Sequence, residues 1–144
     1  MFKFFKNNDS KDYSKKNEEL LPKTASLLIH AAKIDEKYTD NEKKIIKKTL
    51  IQLGINESKV DQIMITAEIN EEKSNQIIDF TREIKNADSE FKIKITETLW
   101  SIIYSNKEED MYESNLMRRL SGLLYLDNKI VGDIKEKIKA KFTK

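Results

Sequence analysis

Two short acidic segments hold most of the side chains with which this sequence could do chemistry. Residues 35–42 are DEKYTDNE and residues 106–113 are NKEEDMYE, so each segment carries four carboxylates and one lysine. Carboxylate oxygens suit Ca²⁺ or Mg²⁺, although neither segment has the D-x-[DN]-x-[DN]-G spacing of an EF-hand loop. The residue types therefore make both segments candidate sites for a divalent cation.

The acidic side chains divide into two sets of candidates. The candidate metal ligands are Asp35, Asp40, Glu42, Asp110 and Glu113. The candidates for docking a basic partner protein are Glu36, Glu108 and Glu109. A third interpretation is local, because carboxylates at the start of a helix interact favourably with its free N–H groups and its dipole. The sequence leaves cation binding, partner docking and plain helix capping open.

Each acidic segment lies between two stretches in which apolar residues recur with helical spacing. Thr39 and Glu42 have the S/T-x-x-E spacing of a capping box. A shift of 71 positions places Thr39 on Asp110 and Glu42 on Glu113, and it also matches the apolar positions that follow. We therefore predict an internal duplication of a helix, an acidic turn and a second helix.

Composition favours an all-α fold. Three glycines and one proline leave few residues for β-turns, and the apolar residues recur every three or four positions. We predict a compact bundle of about seven helices with an internal pseudo-twofold repeat. The first helix is expected over residues 21–34. The others are expected after Thr39, Asn56, Asn70, Asp88 or Ser89, Asp110, and Asp127 or Asn128, with Gly54 ending the second helix.

Several classes of function are disfavoured by composition. The net charge of +2 argues against a strong general affinity for nucleic acid, and the chain has no cysteine and a single histidine, His30. No nucleotide-binding glycine loop, nucleophile elbow or zinc-protease motif occurs. We therefore expect a protein that is not an enzyme, in which His30 is a partly buried structural residue.

The first 18 residues differ in composition from the rest. They combine the aromatic and basic segment MFKFFK with a polar stretch, and we expect a flexible tail before a helical domain over 19–144. The tail lacks the apolar core of a secretory signal, and one aromatic turn makes at most a peripheral membrane contact. The expected location is the cytoplasm, with peripheral placement at the inner membrane as a further option.

The two turns resemble the TerB family of bacterial tellurite-resistance proteins. The first match is AAKIDEKYTDNEKKII from Ala31, and the weaker second match is SIIYSNKEEDMYESNLMRRLSGLL from Ser101. The resemblance implies an all-helical domain with a role in stress response, partner proteins near the inner membrane, and acidic residues proposed to bind metal. Within the family pattern, Asp35 and Glu42 match the first motif, whereas Asp110 and Glu113 match the second.

We expect this chain to be a non-enzymatic TerB-like binding module, with a divalent cation as the candidate cofactor. Glu36 replaces the glycine of the family motif in the first copy, and Asn106 replaces an aspartate in the second. The first turn, centred on Asp35, is therefore the better candidate site.

The alternative is a protein-interaction scaffold or co-chaperone-type adaptor without metal. A third interpretation is phosphate or nucleic-acid binding through basic residues, which are Lys47, Lys48, Arg118 and Arg119.

Overall fold

The structure is a computed structural model that describes residues 19–34, 38–74, 76–105 and 111–142, without the side chains of 111–114. All regular secondary structure within these ranges is helical. The helices are α1 (19–32), α2 (Asp40–Gln52), α3 (Glu57–Lys73), α4 (Ile78–Thr81), α5 (Ser89–Ser105), α6 (Met111–Leu123) and α7 (Asn128–Phe142), with a 3-10 helix at Ile84–Asn86. The predicted all-α class is confirmed.

The predicted capping box at the start of α2 is present. The Thr39 hydroxyl accepts the N–H of Glu42, and the Glu42 carboxylate accepts the N–H of Thr39 at 2.8 Å. The carboxylate also accepts the Thr39 hydroxyl at 2.9 Å. Two otherwise unpaired donors are thus satisfied, which fixes where α2 begins. Side-chain caps also follow the sequence at three other helices, from Asn56 for α3, Asp88 for α5 and Asp127 for α7.

Helix α2 ends at Gln52 and is terminated by Gly54 as predicted, with a backbone φ of 124° at Gly54 and an Ile55 N–H that bonds the Leu50 carbonyl. The end of α6 has the same hydrogen-bond pattern, in which Tyr125 has a φ of 56° and Leu126 bonds the Ser121 carbonyl. These positions are again related by the shift that superimposes the two acidic segments. The agreement fits a duplication, but the internal repeat itself stays a prediction.

Replacing Gly54 with alanine is expected to lower the free energy of unfolding by about 1 to 2 kcal/mol, since a side chain is strained at positive φ. The matched control is Gly132→Ala, because Gly132 lies inside α7 and an added methyl would meet no atom within 4 Å. That control is expected to raise stability by about 0.5 to 1 kcal/mol through helix propensity. Urea unfolding of both variants checks whether the free energy of unfolding falls in the first and rises in the second. No change in Gly54→Ala would contradict the turn assigned to Gly54.

The prediction that a fourth helix begins after Asn70 is wrong. Helix α3 continues through Asn70 to Lys73, and the next segment forms only the short α4 and a 3-10 turn. The buried Glu71 fastens the last turn of α3 to α1, so a tertiary contact extends the helix past the expected cap. Helical spacing in this segment also predicts Ile77, Phe80, Thr81 and Ile84 on the inner side, and all four side chains are buried.

Helical spacing predicts Ile130, Ile134, Ile138 and Phe142 in one inner row of α7, and this prediction needs a smaller correction. Ile134 and Ile138 are buried, but Ile130 and Phe142 are 42% and 46% exposed, and Val131 takes the first core position instead. The row is turned because α7 packs mainly against α5. This rotation leaves Phe142 at the surface.

Helices α1 and α5 form the centre of the bundle. Every side chain from residue 24 to residue 29 is buried, so α1 has no solvent-facing side over this stretch. Helix α3 runs parallel to α1, since Ser26 donates to the Ala67 carbonyl and His30, one turn later, contacts Glu71. Helix α5 packs against α2 on one side and α7 on the other. The end of α1, the start of α2 and the end of α3 are thereby brought together.

Candidate functional site

A group of polar and charged side chains lies where α1 ends, α2 begins and α3 ends. We call it the polar cluster, and its members are His30, Lys33, Tyr38, Lys43, Glu68 and Glu71. Residues 35–37, which include the candidates Asp35 and Glu36, join α1 to Tyr38 and lie outside the described residues. The polar cluster therefore has residues before and after this segment, and it is the part of the first candidate site that the structure describes.

Glu71 is the anchor of the polar cluster. Its side chain is 10% exposed, and its carboxylate accepts the Lys33 ammonium at 2.8 Å and lies 3.3 Å from Nδ1 of His30. The His30 ring also packs against Phe80, with ring centroids 5.9 Å apart. His30 thus has the structural, partly buried role expected from the sequence, and Glu71 fastens the last turn of α1 to α3.

Glu68 holds the other half of the polar cluster. Its carboxylate lies 3.2 Å from the Lys43 ammonium and accepts the Tyr38 hydroxyl at 3.2 Å. The ammonium groups of Lys33 and Lys43 lie 6.0 and 5.4 Å from the centre of the Tyr38 ring. Burial, and then the negative charge of Glu68, raise the pKa of Tyr38 well above its ordinary range.

The raised pKa of Tyr38 predicts a stability change at high pH. The folded state favours the neutral phenol, so this contribution is present below the ordinary tyrosine pKa of about 10 and is lost as pH rises above it. Replacing Tyr38 with phenylalanine should therefore reduce the loss of stability above about pH 10. The check is thermal unfolding against pH, together with the phenolate absorbance of the native chain. If Tyr38 ionised over the same pH range as exposed tyrosines, the result would contradict the burial of its phenol group.

Two of the candidate metal ligands have described side chains. Asp40 is exposed on the first turn of α2, whereas Glu42 is 1% exposed and bonded to Thr39 in the capping box. At Glu42 the geometry therefore matches the capping interpretation. Asp110 and the partner candidates Glu108 and Glu109 lie outside the described residues, as does the side chain of Glu113. Cation binding at these positions stays a prediction.

Sequence reasoning missed Glu68 and Glu71. A usable signal existed for Glu71, because it continues the row of α3 residues that face the core, which are Val60, Met64 and Ala67. A carboxylate at a core-facing position requires a partner. No sequence pattern identified Lys33 and His30 as those partners, since they lie about 40 positions earlier in the chain.

The described residues alone do not form a divalent-cation site. Among them, no three His, Asp or Glu side chains are arranged to hold a metal ion. The carboxylates of Glu68 and Glu71 are each already paired with a lysine ammonium. A cation at this end would need ligands from residues 35–37.

The aromatic residues near the second turn belong mainly to the core. From the sequence we expect Trp100, Tyr104 and Tyr112 to pack in the core and at its rim rather than to stack on nucleic-acid bases. Trp100 and Tyr104 are indeed buried and stacked, with ring centroids 5.9 Å apart. The side chain of Tyr112, expected in the same group, lies outside the described residues.

Across the described ranges, none of the helices is long and apolar enough to cross a membrane.

Comparison with known proteins identifies the family. The family model of Tellurite resistance protein TerB matches residues 22–136, which is most of the chain and extends from within α1 into α7. A search of curated proteins and a search of solved structures gave no match. The family is all-helical, in agreement with the helical bundle described above, and its domains are generally non-catalytic. This chain therefore belongs to the TerB family.

Proposed function

We propose that this chain is a non-enzymatic binding module of bacterial stress response or tellurite resistance. In this proposal it meets another protein at the end of the bundle that carries the polar cluster. The observation that carries the proposal is the double contact of Glu71 with His30 and Lys33, which braces α1 against α3 beside the acidic turn. Because α1 and α3 are held together next to the acidic segment, less conformational entropy would be lost when a partner binds there.

The charges at this end favour a basic partner. Within the polar cluster the acids are matched by Lys33 and Lys43, so these side chains mainly support one another. Asp40 is exposed beside them, and Asp35 and Glu36 precede it in the sequence. A partner with arginine or lysine side chains would therefore find complementary charge at the turn.

The same contacts give little support to catalysis. His30, the single histidine of the chain, is held by a carboxylate and an aromatic ring. In the described residues, no hydroxyl nucleophile forms a hydrogen bond with it. A general base without a nucleophile or a second free acid has no evident reaction to perform.

Site-specific photocrosslinking in the native host tests the proposed surface. A photoreactive amino acid at Glu36 should capture a discrete partner, whereas one at Glu136, on the exposed surface of α7, should not. Capture from position 36 should be lost when Asp35 and Asp40 are both replaced with lysine. It should persist when two acids on α3, Glu57 and Asp61, are replaced in the same way. Equal capture from both positions would contradict the proposal.

A divalent cation at the same turn is the second candidate function. It is favoured by the four acids of residues 35–42 and by the hydrogen bond from Tyr38, which joins this segment to Glu68. Calorimetric titration with Ca²⁺ or Mn²⁺ should then give heat and raise the melting temperature, and Asp35→Asn should remove both. Asp110→Asn should have the smaller effect. The absence of heat and of stabilisation would contradict the candidate and leave the scaffold alternative.

The wider setting follows from the same proposal. We propose that the partners are other proteins of a stress- or envelope-linked complex, and that nucleic acid is not among them. The proposed location is cytoplasmic, with at most a peripheral contact at the inner membrane through residues 1–18, which lie outside the described residues. Nucleic-acid binding with a steep salt dependence would contradict this assignment of partners.

A further inference from the structure

A groove lies on another side of the bundle, between α2, α5 and α7. It encloses about 360 Å³ and is lined by residues of all three helices. Helix α5 forms its floor, because α5 packs against both α2 and α7. The α2 side runs from Ile45 to Gln52, and the α7 side ends at Phe142. The groove is thus separate from the polar cluster, which lies between α1, α2 and α3.

The groove carries a local excess of positive charge. Each helix contributes one lysine to its lining, which are Lys48 from α2, Lys94 from α5 and Lys141 from α7. Across the described part of the chain, none of these three lysines forms an ion pair. Glu97 is the one carboxylate among the described lining residues. The unmatched charge favours an anionic ligand.

The floor of the groove has no hydroxyl hydrogen to offer to such a ligand. The Thr98 hydroxyl donates to the Lys94 carbonyl, so in its 2.8 Å contact with Thr49 it is the acceptor and Thr49 the donor. The Ser101 hydroxyl donates to the Glu97 carbonyl. The lysine ammoniums are therefore the main groups that can bind an anion here.

Helix orientation disfavours a compact phosphate as the ligand. Gln52 and Phe142 are the last residues of α2 and α7, so both helices direct their negative dipole ends toward the groove. Carboxylates spread along a peptide, each near one lysine, would avoid concentrating negative charge beside those ends. The exposed Phe142 ring and the partly buried Ile45 offer apolar surface to such a peptide.

We propose that this groove binds a short acidic segment of a partner protein. Its carboxylates pair with Lys48, Lys94 and Lys141, and one apolar side chain packs against Phe142. The α2 side is about 10 Å long at 1.5 Å per helical residue, which spans about three residues of an extended peptide, so the residues that contact α5 and α7 extend the segment beyond these three. The surface is distinct from the acidic turn, so this proposal and the proposed function can fail independently.

The test uses fluorescence anisotropy of the full chain with a labelled peptide of alternating glutamate and leucine. The double substitution Lys48→Glu and Lys141→Glu should weaken binding by about tenfold or more, because two attractions become repulsions. The matched control is Lys44→Glu with Lys137→Glu, which makes the same charge change at exposed sites on the same two helices, outside the groove. The control should retain binding within about twofold.

Four further outcomes decide the proposal. Phe142→Ala should weaken binding of the peptide without altering the fold, since the Phe142 side chain is at the surface. Equal weakening by both lysine pairs, or equal binding of a peptide with glutamine in place of glutamate, would reduce the effect to general charge attraction and overturn the proposal. Self-association of the chain that is lost only in the Lys48 and Lys141 variant would also overturn it, because the occupant would then be a second copy.

Discussion

Replacing Ile29 with alanine is expected to lower the free energy of unfolding by about 3 kcal/mol. Ile29 is fully buried in the middle of α1, the helix that has other elements on all sides. The smaller side chain loses the transfer free energy of the deleted carbons and leaves a cavity that the surrounding helices fill only in part. Urea unfolding followed by circular dichroism measures the difference.

The control for this substitution is Ile65→Ala on α3. Ile65 is 52% exposed, so the same chemical change should alter stability by no more than about 0.5 kcal/mol. The pair of variants removes the same atoms from a helix in both cases and therefore isolates burial. Similar losses at the two positions would contradict the central placement of α1.

Replacing Glu71 with alanine is expected to cost about 2 kcal/mol, because charged hydrogen bonds to a largely buried carboxylate are lost. Lys33 and His30 would keep positive and polar groups at the junction of α1 and α3 without their acceptor. Both partners remain partly exposed, so water can reach them and the cost stays below that of breaking a fully buried ion pair. Chemical denaturation at neutral pH provides the measurement.

The control is Glu72→Ala, one residue further along the same helix. The Glu72 side chain is 72% exposed and lies 4.0 Å from Lys33, so its removal should be close to neutral. Glu71→Gln should fall between the two variants, since it keeps the shape and one acceptor. If Glu71→Ala proved as mild as Glu72→Ala, the polar cluster would not brace α1 against α3, and the proposed presentation of the turn would lose its basis.

Local features of the fold were predictable because their causes lie within a few residues. The Thr39 and Glu42 capping box is set by a three-residue spacing, and the end of α2 is set by a glycine that tolerates positive φ. The same reasoning offered Asp88 or Ser89 for α5 and Asp127 or Asn128 for α7, and the aspartate is the cap in both helices. For the candidate site, the sequence identified the acidic turn but not the side chains beneath it.

Sequence patterns were enough to predict the all-α class, the start of most helices and membership of the TerB family, because periodicity, caps and family motifs are local properties of the chain. Tertiary packing, by contrast, determined that Glu71 contacts His30 and Lys33, and α3 continues beyond the predicted cap to make this contact. It also decided that Lys48, Lys94 and Lys141 line one groove. Helical spacing indicates which side of each helix is apolar, but the choice among neighbouring helices depends on how all of those surfaces pack together.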